Sequence, residues 1–551
     1  MSSPQASEHS AREFLAHLEQ QARAADAGRA QLEAAAKEAY RWGRIDRRTQ
    51  NFQPLWRSGD AAVYESSDLM HRRSRDQVLN NSQIKRVVDA LVDLIVGPGL
   101  MTFADPFEPT MDLTALSGDS LDEPLTYALE SDDLFEEWFL DPQQFDASGK
   151  RTGPEMQRLA QSECIERGGM LLVKSQSSRG HRIVPRQWQA VEYDQLDLTK
   201  DRPAGTGQHK IVHGIELDDD GRELAYHIYD DHPYDDFTRQ GVSGKSSRVA
   251  ADRVIHVCDL KRPSQSIGAT WLAALGQNSL DRDKFIGGEI QSAAKAALLL
   301  LVHYTKNLRA GGNLGLMDDG DTADDFGNEQ MKMGSSPMAL RAHIDDEIEL
   351  VENTRPATSC DEFINILDHD TAGAAGLSYY TMSGRYDQTS YTSVRGALLS
   401  EDGHIRPLQN WFAAKVALPM RRDFHRQAIA LGKLKSVSSD QYAANPRRYN
   451  RFDAVGAGRE LLDPLAENDA TLGKLRGCLT TLKAECARRG LHWIRVLRQV
   501  ALENRLLEVL GIVLDLSKGQ GGQVIANSRS KKEQQELAET TKPKPSKSAA
   551  K

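Results

Sequence analysis

The sequence predicts an α+β protein of two to four domains, and three observations carry that reading. Apolar residues recur at helical spacing over several long stretches, and 551 residues are enough for a sizeable core. Between residues 101 and 259 the texture changes to short β-rich runs separated by Asp/Gly turns. Hydrophobic residues make up 39% and charged residues 27%, the balance of a globular chain with a rather polar surface.

Residues 11–39, rich in Ala, Glu, Gln and Lys, read as a surface helix. Next, Arg41, Arg44, Arg47, Arg48 and Arg57 are interleaved with Tyr40, Trp42, Phe52 and Trp56; this stretch reads either as a packed segment or as an arm on an adjacent copy. A second helix is expected over residues 68–95, where Val78, Leu79, Ile84, Val87, Val88, Leu91, Leu94 and Ile95 are apolar. Val96, Gly97, Pro98 and Gly99 then stop it. Residues 170–173 and 224–229 are typical of the β-rich runs, and Asp218 to Gly221 make a turn.

Residues 268–302 read as a helix that reaches roughly 50 Å if unbroken, with Gly287 and Gly288 as a place to kink. Residues 303–352 hold eleven Asp/Glu against four Lys/Arg, so most of the net charge of -10 sits in this one segment. Helical texture returns at 361–375, breaks in a Tyr/Ser/Thr-rich stretch at 378–393, and resumes over 394–431. Between 421 and 451 the balance flips to eight Lys/Arg against two Asp/Glu, which suits either DNA or acidic neighbours across an assembly. Residues 464–516 are again helical, and from 519 onward there is almost nothing to bury, so a disordered tail is expected.

The five cysteines form no C-x-x-C pair, which argues against a disulfide framework or a zinc site and for folding in a reducing cytoplasm. The most apolar stretch, 293–302, contains Lys295 and is far shorter than the roughly 18 residues a membrane span needs. Secretion and membrane insertion are not expected. No Walker loop, dinucleotide fingerprint or H-E-x-x-H occurs, and the acids at 318–325 lack the spacing of a calcium loop. No catalytic residue, cofactor or metal is expected. The net acidity also argues against a free-standing DNA binder, which neutralises phosphates with a surplus of Lys and Arg.

Five separated motifs, in order along the chain, carry a resemblance. The first is Arg72, Arg73, Ser74, Arg75 and Asp76 with Leu79, Asn80 and Asn81 and then Val96 to Gly99. The second is Gln189, Ala190, Val191, Glu192 and Asp194, followed by Gly214, Ile215, Glu216, Gly221, Arg222, Ala225, Tyr226, His232 and Pro233. The third is Ile255, His256 and Val257 with Arg262, Pro263, Gln265 and Gly268, where Ser264 and Ile267 stand in place of the usual Gly and Arg. The fourth is Gly376, Leu377, Ser378 and Tyr379, without the usual acid after the tyrosine, then Tyr386, Asp387 and Ser390 to Arg395. The fifth is Leu462, Asp463, Pro464 and Glu467, with Arg489, Gly490, Trp493 and Glu503. Together they resemble the lambda-type portal proteins of tailed phages, over about residues 72–511.

That resemblance implies a portal fold with wing, two-helix stem, clip and helical crown, assembled as a ring that is a dodecamer at one capsid vertex. Residues 1–267 would be the N-terminal arm and wing, 268–302 the first stem helix, 303–352 the clip and 353–377 the second stem helix. Residues 378–393 would be the tunnel loop, 394–452 the long wing helix and its connection, 453–516 the crown and 517–551 the tail. The ring is expected to pass double-stranded DNA during packaging and ejection. Its expected partners are the terminase large subunit, then the head-tail connector or adaptor, with major capsid and scaffolding proteins around it.

Within that frame Arg385, Tyr386, Gln388, Thr389 and Tyr391 are the expected DNA-proximal residues, offering one cation plus hydroxyl and amide groups for phosphate contacts without base readout. Asp318, Asp319, Asp321, Asp345, Asp346, Glu347 and Glu349 are the expected partner-binding clip residues, whose charge favours basic surfaces. Read without the resemblance, the loop is an exposed connection and the acidic insertion a solvated face. A head-completion or connector protein of the same particle is the alternative function. A nuclease or protease would need a clustered acid or nucleophile site that the sequence does not offer.

Overall fold

The computed structural model describes residues 50–107, 118–178, 180–235, 245–297, 301–305, 346–350, 360–386, 389–459, 463–514 and 524–526, with Gln20, Arg23 and Arg47. The chain divides into two units, Met1–Ala62 and Val63–Lys551. In the first unit residues 52–58 have no regular structure, and Leu55 and Trp56 are exposed. Trp56 is therefore not the packed side chain that one reading of the arginine-dense stretch expects.

In chain order the helices and strands used below begin with α1 (Gly59–Asn80), α2 (Ser82–Ile95), β1 (Met101–Ala104), α3 (Gly118–Leu140) and α4 (Gly153–Arg167). There follow β2 (Gly169–Gln176), β3 (Arg186–Glu192), β4 (Lys210–Val212), β5 (Ile215–Leu217), β6 (Glu223–Tyr229), β7 (Ser246–Ala250) and β8 (Val254–Cys258). Beyond them come α5 (Gly276–Ala297), β9 (Leu301–Thr305), β10 (Asp346–Leu350), α6 (Cys360–Ala375), α7 (Tyr379–Ser383), α8 (Tyr391–Phe412) and α9 (Leu418–Ala430). The last are β11 (Phe452–Val455), α10 (Pro464–Arg476), α11 (Leu482–Arg488) and α12 (Trp493–Leu510). A π-helical turn at Ala413–Ala417 makes α8 and α9 one nearly continuous rod.

The expected helix over 68–95 is two helices. Its apolar period runs through the break, but Asn81 adopts an extended conformation and its side chain accepts from the amides of Gln83 and Ile84, so it caps α2. From there Ile84, Val87, Val88, Leu91, Val92 and Ile95 recur at 3, 1, 3, 1 and 3 residues and all are buried. Each contributes about 1.5–3 kcal/mol by leaving water. Gly97 and Gly99, both at positive φ, turn the chain into β1. The Pro-containing α4 carries a complete capping box between Thr152 and Glu155 and ends on left-handed Gly168.

Two antiparallel sheets form the β-rich half, in the orders β3-β2-β8 and β4-β5-β6-β7. A small core of Leu171, Val173, Val191, Tyr193, Ile215, Tyr226 and Ile228 includes Ile267, the residue that stands where the family pattern has Arg. The larger core joins α2, α3, α4 and β2 to the α8–α9 rod through Trp138, Phe139, Phe145, Trp188, Phe412 and Phe424. Gly268 lies against Gly168 so closely that an added Cβ would fall 1.8 Å from the Gly168 carbonyl oxygen. Only glycine fits where the chain leaves the sheets for α5.

Buried charges sit at the seams. Arg421 is fully buried between the rings of Phe135 and Phe452 and donates to Ser131 and, at 2.7 Å, to Asp132. Arg75 of the first motif meets Glu163, Glu192 and Asp194, two of them from the second. His256 of the third motif is buried between the Tyr193 hydroxyl at 2.9 Å and Glu223 at 3.1 Å, and Tyr193 in turn accepts from the Gly268 amide.

The expected first stem helix is shorter at both ends. A 3-10 turn at Trp271–Ala274, capped by Thr270, precedes α5, and the chain is already strand at Leu301 and Val302. The helix runs unbroken through Gly287 and Gly288. Its partner α6 begins at Cys360. Both are fastened to one side of α1–α2 by polar groups. Ser74 donates to Thr270, Gln77 to the Gly276 carbonyl, Asn81 to Ser279 and Asp283, and Gln83 to Asp368, which Arg282 also holds.

Candidate functional site

The Tyr/Ser/Thr-rich stretch lies between α6 and the long rod. Helix α6 ends on left-handed Gly376, with the Leu377 amide donating to the Ala372 carbonyl. Ser378 caps the short α7 by accepting from the Thr381 amide at 3.0 Å, and left-handed Gly384 ends it. Arg86 of α2 donates to the Ser383 carbonyl at 2.8 Å, so the same helix that is fastened to α6 also holds the loop. Ser390 then caps α8 through the Ser393 amide.

Of the expected DNA-proximal residues, Arg385, Tyr386, Thr389 and Tyr391 are described and Gln388 lies outside the described residues. Tyr386 and Tyr391 are exposed, while Thr389 is half-buried and donates to the Tyr380 hydroxyl at 2.8 Å. The rings of Tyr380 and Tyr386 are nearly parallel with centroids 6.1 Å apart. Tyr380, which stands where the family pattern has an acid, thus supports both arms of the loop. Tyr379 stacks on His369 at 4.1 Å and donates to Asn365 at 3.0 Å, which ties the loop to α6.

Arg385 donates to Asp361 at 3.2 Å, a bond that raises the guanidinium further above its ordinary value. Both side chains are more than half exposed, so the pair is worth at most about 1 kcal/mol and yields readily to a stronger anion. Around it, Asp361, Asn365, His369, Tyr379, Tyr380 and Thr389 line an open cleft of about 200 Å³. With Arg385 the cleft offers one guanidinium, three hydroxyls, the Asn365 carboxamide, the His369 imidazole and the Asp361 carboxylate. Its guanidinium and hydroxyls suit phosphate oxygens.

The sequence did not indicate Asp361 or His369, because contacts 24 and 10 residues apart across a helix end leave no spacing signal. One more side chain links this region onward. Glu401 of α8 has a wholly buried side chain that accepts from Thr381 at 2.8 Å and lies 3.0 Å from the guanidinium of Arg459. Of the expected clip residues, Asp318, Asp319, Asp321 and Asp345 lie outside the described residues. The backbone of Asp346, Glu347 and Glu349 forms part of β10, antiparallel to β9.

Comparison with known proteins agrees in kind. The family model described as "Phage portal protein, lambda family" matches residues 45–409. The probable portal protein of Halomonas phage phiHAP-1 is 24% identical over 466 residues, 83% of this chain and 84% of the relative. Portal protein B of Escherichia phage lambda is 20% identical over 486 residues, 84% of this chain and 88% of the relative. Among solved structures, a chain in the neck of an empty gene transfer agent particle is 12% identical with a TM-score of 0.39, covering 80% of this chain and 96% of its own. An HK97 family phage portal protein from Corynebacterium diphtheriae is 11% identical with a TM-score of 0.28, covering 72% and 98%. With the family match running through α1–α2, both sheets, α5, α6 and the loop, this chain belongs to the lambda family of phage portal proteins.

Proposed function

We propose that twelve copies of this chain close into a ring at one capsid vertex, through which double-stranded DNA enters during packaging and leaves at ejection. The role of the family is structural, not enzymatic. The observation that carries the ring is apolar surface that the single chain leaves uncovered. On one face of α12 Leu502, Leu506, Val509 and Leu510 are exposed, and so are Ile290 of α5 and Phe363 and Ile366 of α6. Contiguous apolar surface of this kind marks an interaction face. Covering the remaining exposed part of these four α12 side chains offers about 4–7 kcal/mol per contact, before the cost of association.

The loop at 378–393 is the DNA-proximal ring. Its Arg385 is held loosely by Asp361 and its tyrosines are presented outward, which suits brief phosphate contacts. The net charge of -10 per chain, repeated around an axis, discourages gripping of the duplex. The acidic segment at 303–352 is the outward clip, on which the terminase docks during filling and the head-tail connector afterwards, while capsid and scaffolding proteins meet the wing. Assembly takes place in the host cytoplasm and the product is part of the virion.

Electron micrographs of the purified protein test the ring directly. Closed rings with a central hole are expected for the wild type, and chains with unchanged circular dichroism but no rings for Leu502→Glu combined with Leu506→Glu. Rings that survive that pair would remove the observation on which the reading stands. For the loop, Arg385→Glu is expected to slow DNA translocation in reconstituted particles without altering ring formation; unchanged packaging would separate the loop from DNA.

A further inference from the structure

A second basic feature lies on the long rod, away from the loop. Along α8, Arg395, Asp402 and Arg406 fall on one face, and across an open cleft of about 250 Å³ they meet Glu467 and Lys474 of α10 and Arg488 at the end of α11. Most of the carboxylates there are already engaged. Arg459 crosses the cleft to reach Asp402 at 2.6 Å and Glu401 at 3.0 Å, and Arg488 holds Glu485 at 3.3 Å. Arg406 lies no nearer than 3.9 Å to Asp402, which Arg459 has taken. Counting Glu401, four carboxylates face six Lys/Arg, Arg489 included, so the cleft is positive in a chain whose net charge is -10.

The geometry points to a phosphate-binding cleft between the long helix and the crown-side helices, taking backbone phosphates of double-stranded DNA. This reading rests on the proposed passage of duplex beside the loop. Arg395 follows the loop residue Tyr391 by four positions, one helical turn or about 6 Å. From Arg395 to Arg406 the helix rises about 16 Å, close to five base pairs of duplex. A strand touching Tyr391 and continuing along α8 therefore meets this cleft next. Arg395, Arg406 and Lys474 sit at its rim, where guanidinium and ammonium groups can turn onto phosphate oxygens. Salt-dependent contact that is weak at each subunit and repeated around a ring is what a sliding polyanion tolerates.

The test uses assembled full-length protein and a short fluorescent duplex, with anisotropy read over a series of salt concentrations. Wild type is compared with Arg406→Gln combined with Lys474→Gln, both exposed positions, and separately with Arg385→Gln in the loop. Each lost phosphate contact removes about 0.9 from the slope of log affinity against log salt, so the cleft pair is expected to lower the slope by about 2. At 0.1 M salt that is a loss of roughly 10- to 100-fold. A titration of inorganic pyrophosphate, followed by calorimetry, distinguishes a free anion from the backbone. Pyrophosphate binding lost in the cleft pair, with duplex binding unchanged, would overturn the assignment to DNA. So would loss of ring assembly in that pair, which would assign the cleft to an acidic segment of the adjacent copy. If the wild type neither forms rings nor binds duplex, the channel reading itself fails; if Arg385→Gln weakens duplex binding and the cleft pair does not, only this inference does.

Discussion

Replacing Asn81 by alanine should loosen α5 more than any other element. The Asn81 carbonyl oxygen accepts from the amides of Gln83 at 2.9 Å and Ile84 at 3.0 Å, and its amide nitrogen donates to Ser279 at 2.6 Å and Asp283 at 2.7 Å. Loss of the cap costs about 1 kcal/mol. Loss of the bond to Ser279, a fully buried residue, adds about 1 kcal/mol, and the bond to a carboxylate about 1.5 kcal/mol. The total is roughly 3–4 kcal/mol, of which Asn81→Ser should recover only the cap, since serine is too short to reach α5. Native-state hydrogen exchange reads this locally, which matters in a chain too large for a single unfolding free energy to be well defined. Amides of α5 near Ser279 and Asp283 should lose about 2.5 kcal/mol of protection in both variants, and those at the start of α2 about 1 kcal/mol in Asn81→Ala alone. A loss below 1 kcal/mol, or one confined to α2 with α5 unaffected, would show that the helices are held by something other than these bonds.

Two further outcomes are expected. Gly268→Ala puts a methyl group against the Gly168 carbonyl and should cost about 3 kcal/mol of hydrogen-exchange protection in the amides of β2 and β8 beside it; a change under 1 kcal/mol would mean that the two backbones part easily. Acid should destabilise the fold through His71 and His425, each lowered to about 3, His71 by burial and then by Arg167, His425 by burial and then by Arg421. Their folded values lie below the ordinary 6.5, so the stability they contribute is present above pH 6.5 and is lost as pH falls toward 3. At pH 5.5 the loss is about 1.4 kcal/mol for each, and His425→Gln should flatten the urea midpoint against pH between 7 and 5.5; an equally steep profile would rule His425 out as a contributor.

The long periodic segments were legible in the sequence because burial imposes a period of 3.6 that does not depend on what lies opposite. The stripe from Ile84 to Ile95 and the start of α10 at Asp463 and Pro464, where the Asp463 side chain accepts from the Ala466 amide, are of this kind. The break at Asn81 was not, since apolar residues continue on either side of it and Leu79, counted among them, is in fact exposed. The apolar run near 300 suits helix and strand alike, which is why the helix was carried into β9. Charge counting misled in a different way. Arg421 belongs to the basic stretch by number, yet it is buried against Asp132, and Arg451 pairs with Asp105 at 2.7 Å, so part of that surplus is spent within the fold. The loop was found by its hydroxyl-rich composition and its place in the family pattern, whereas its supports came from α2 and α6, which no local pattern connects to it.

Glu401 ties the end of the loop to the basic cleft through a carboxylate that water does not reach. With its side chain sealed from water, one oxygen depends on the hydroxyl of Thr381 and the other on the guanidinium of Arg459. A surface carboxylate that loses a neighbour simply rehydrates; this one has no water to turn to, so withdrawing Thr381 leaves a penalty of about 1–3 kcal/mol that only a new arrangement of the surrounding side chains can relieve. Arg459 also holds Asp402 on the flank of the basic cleft, so Thr381, Glu401, Arg459 and Asp402 form one connected set of polar groups.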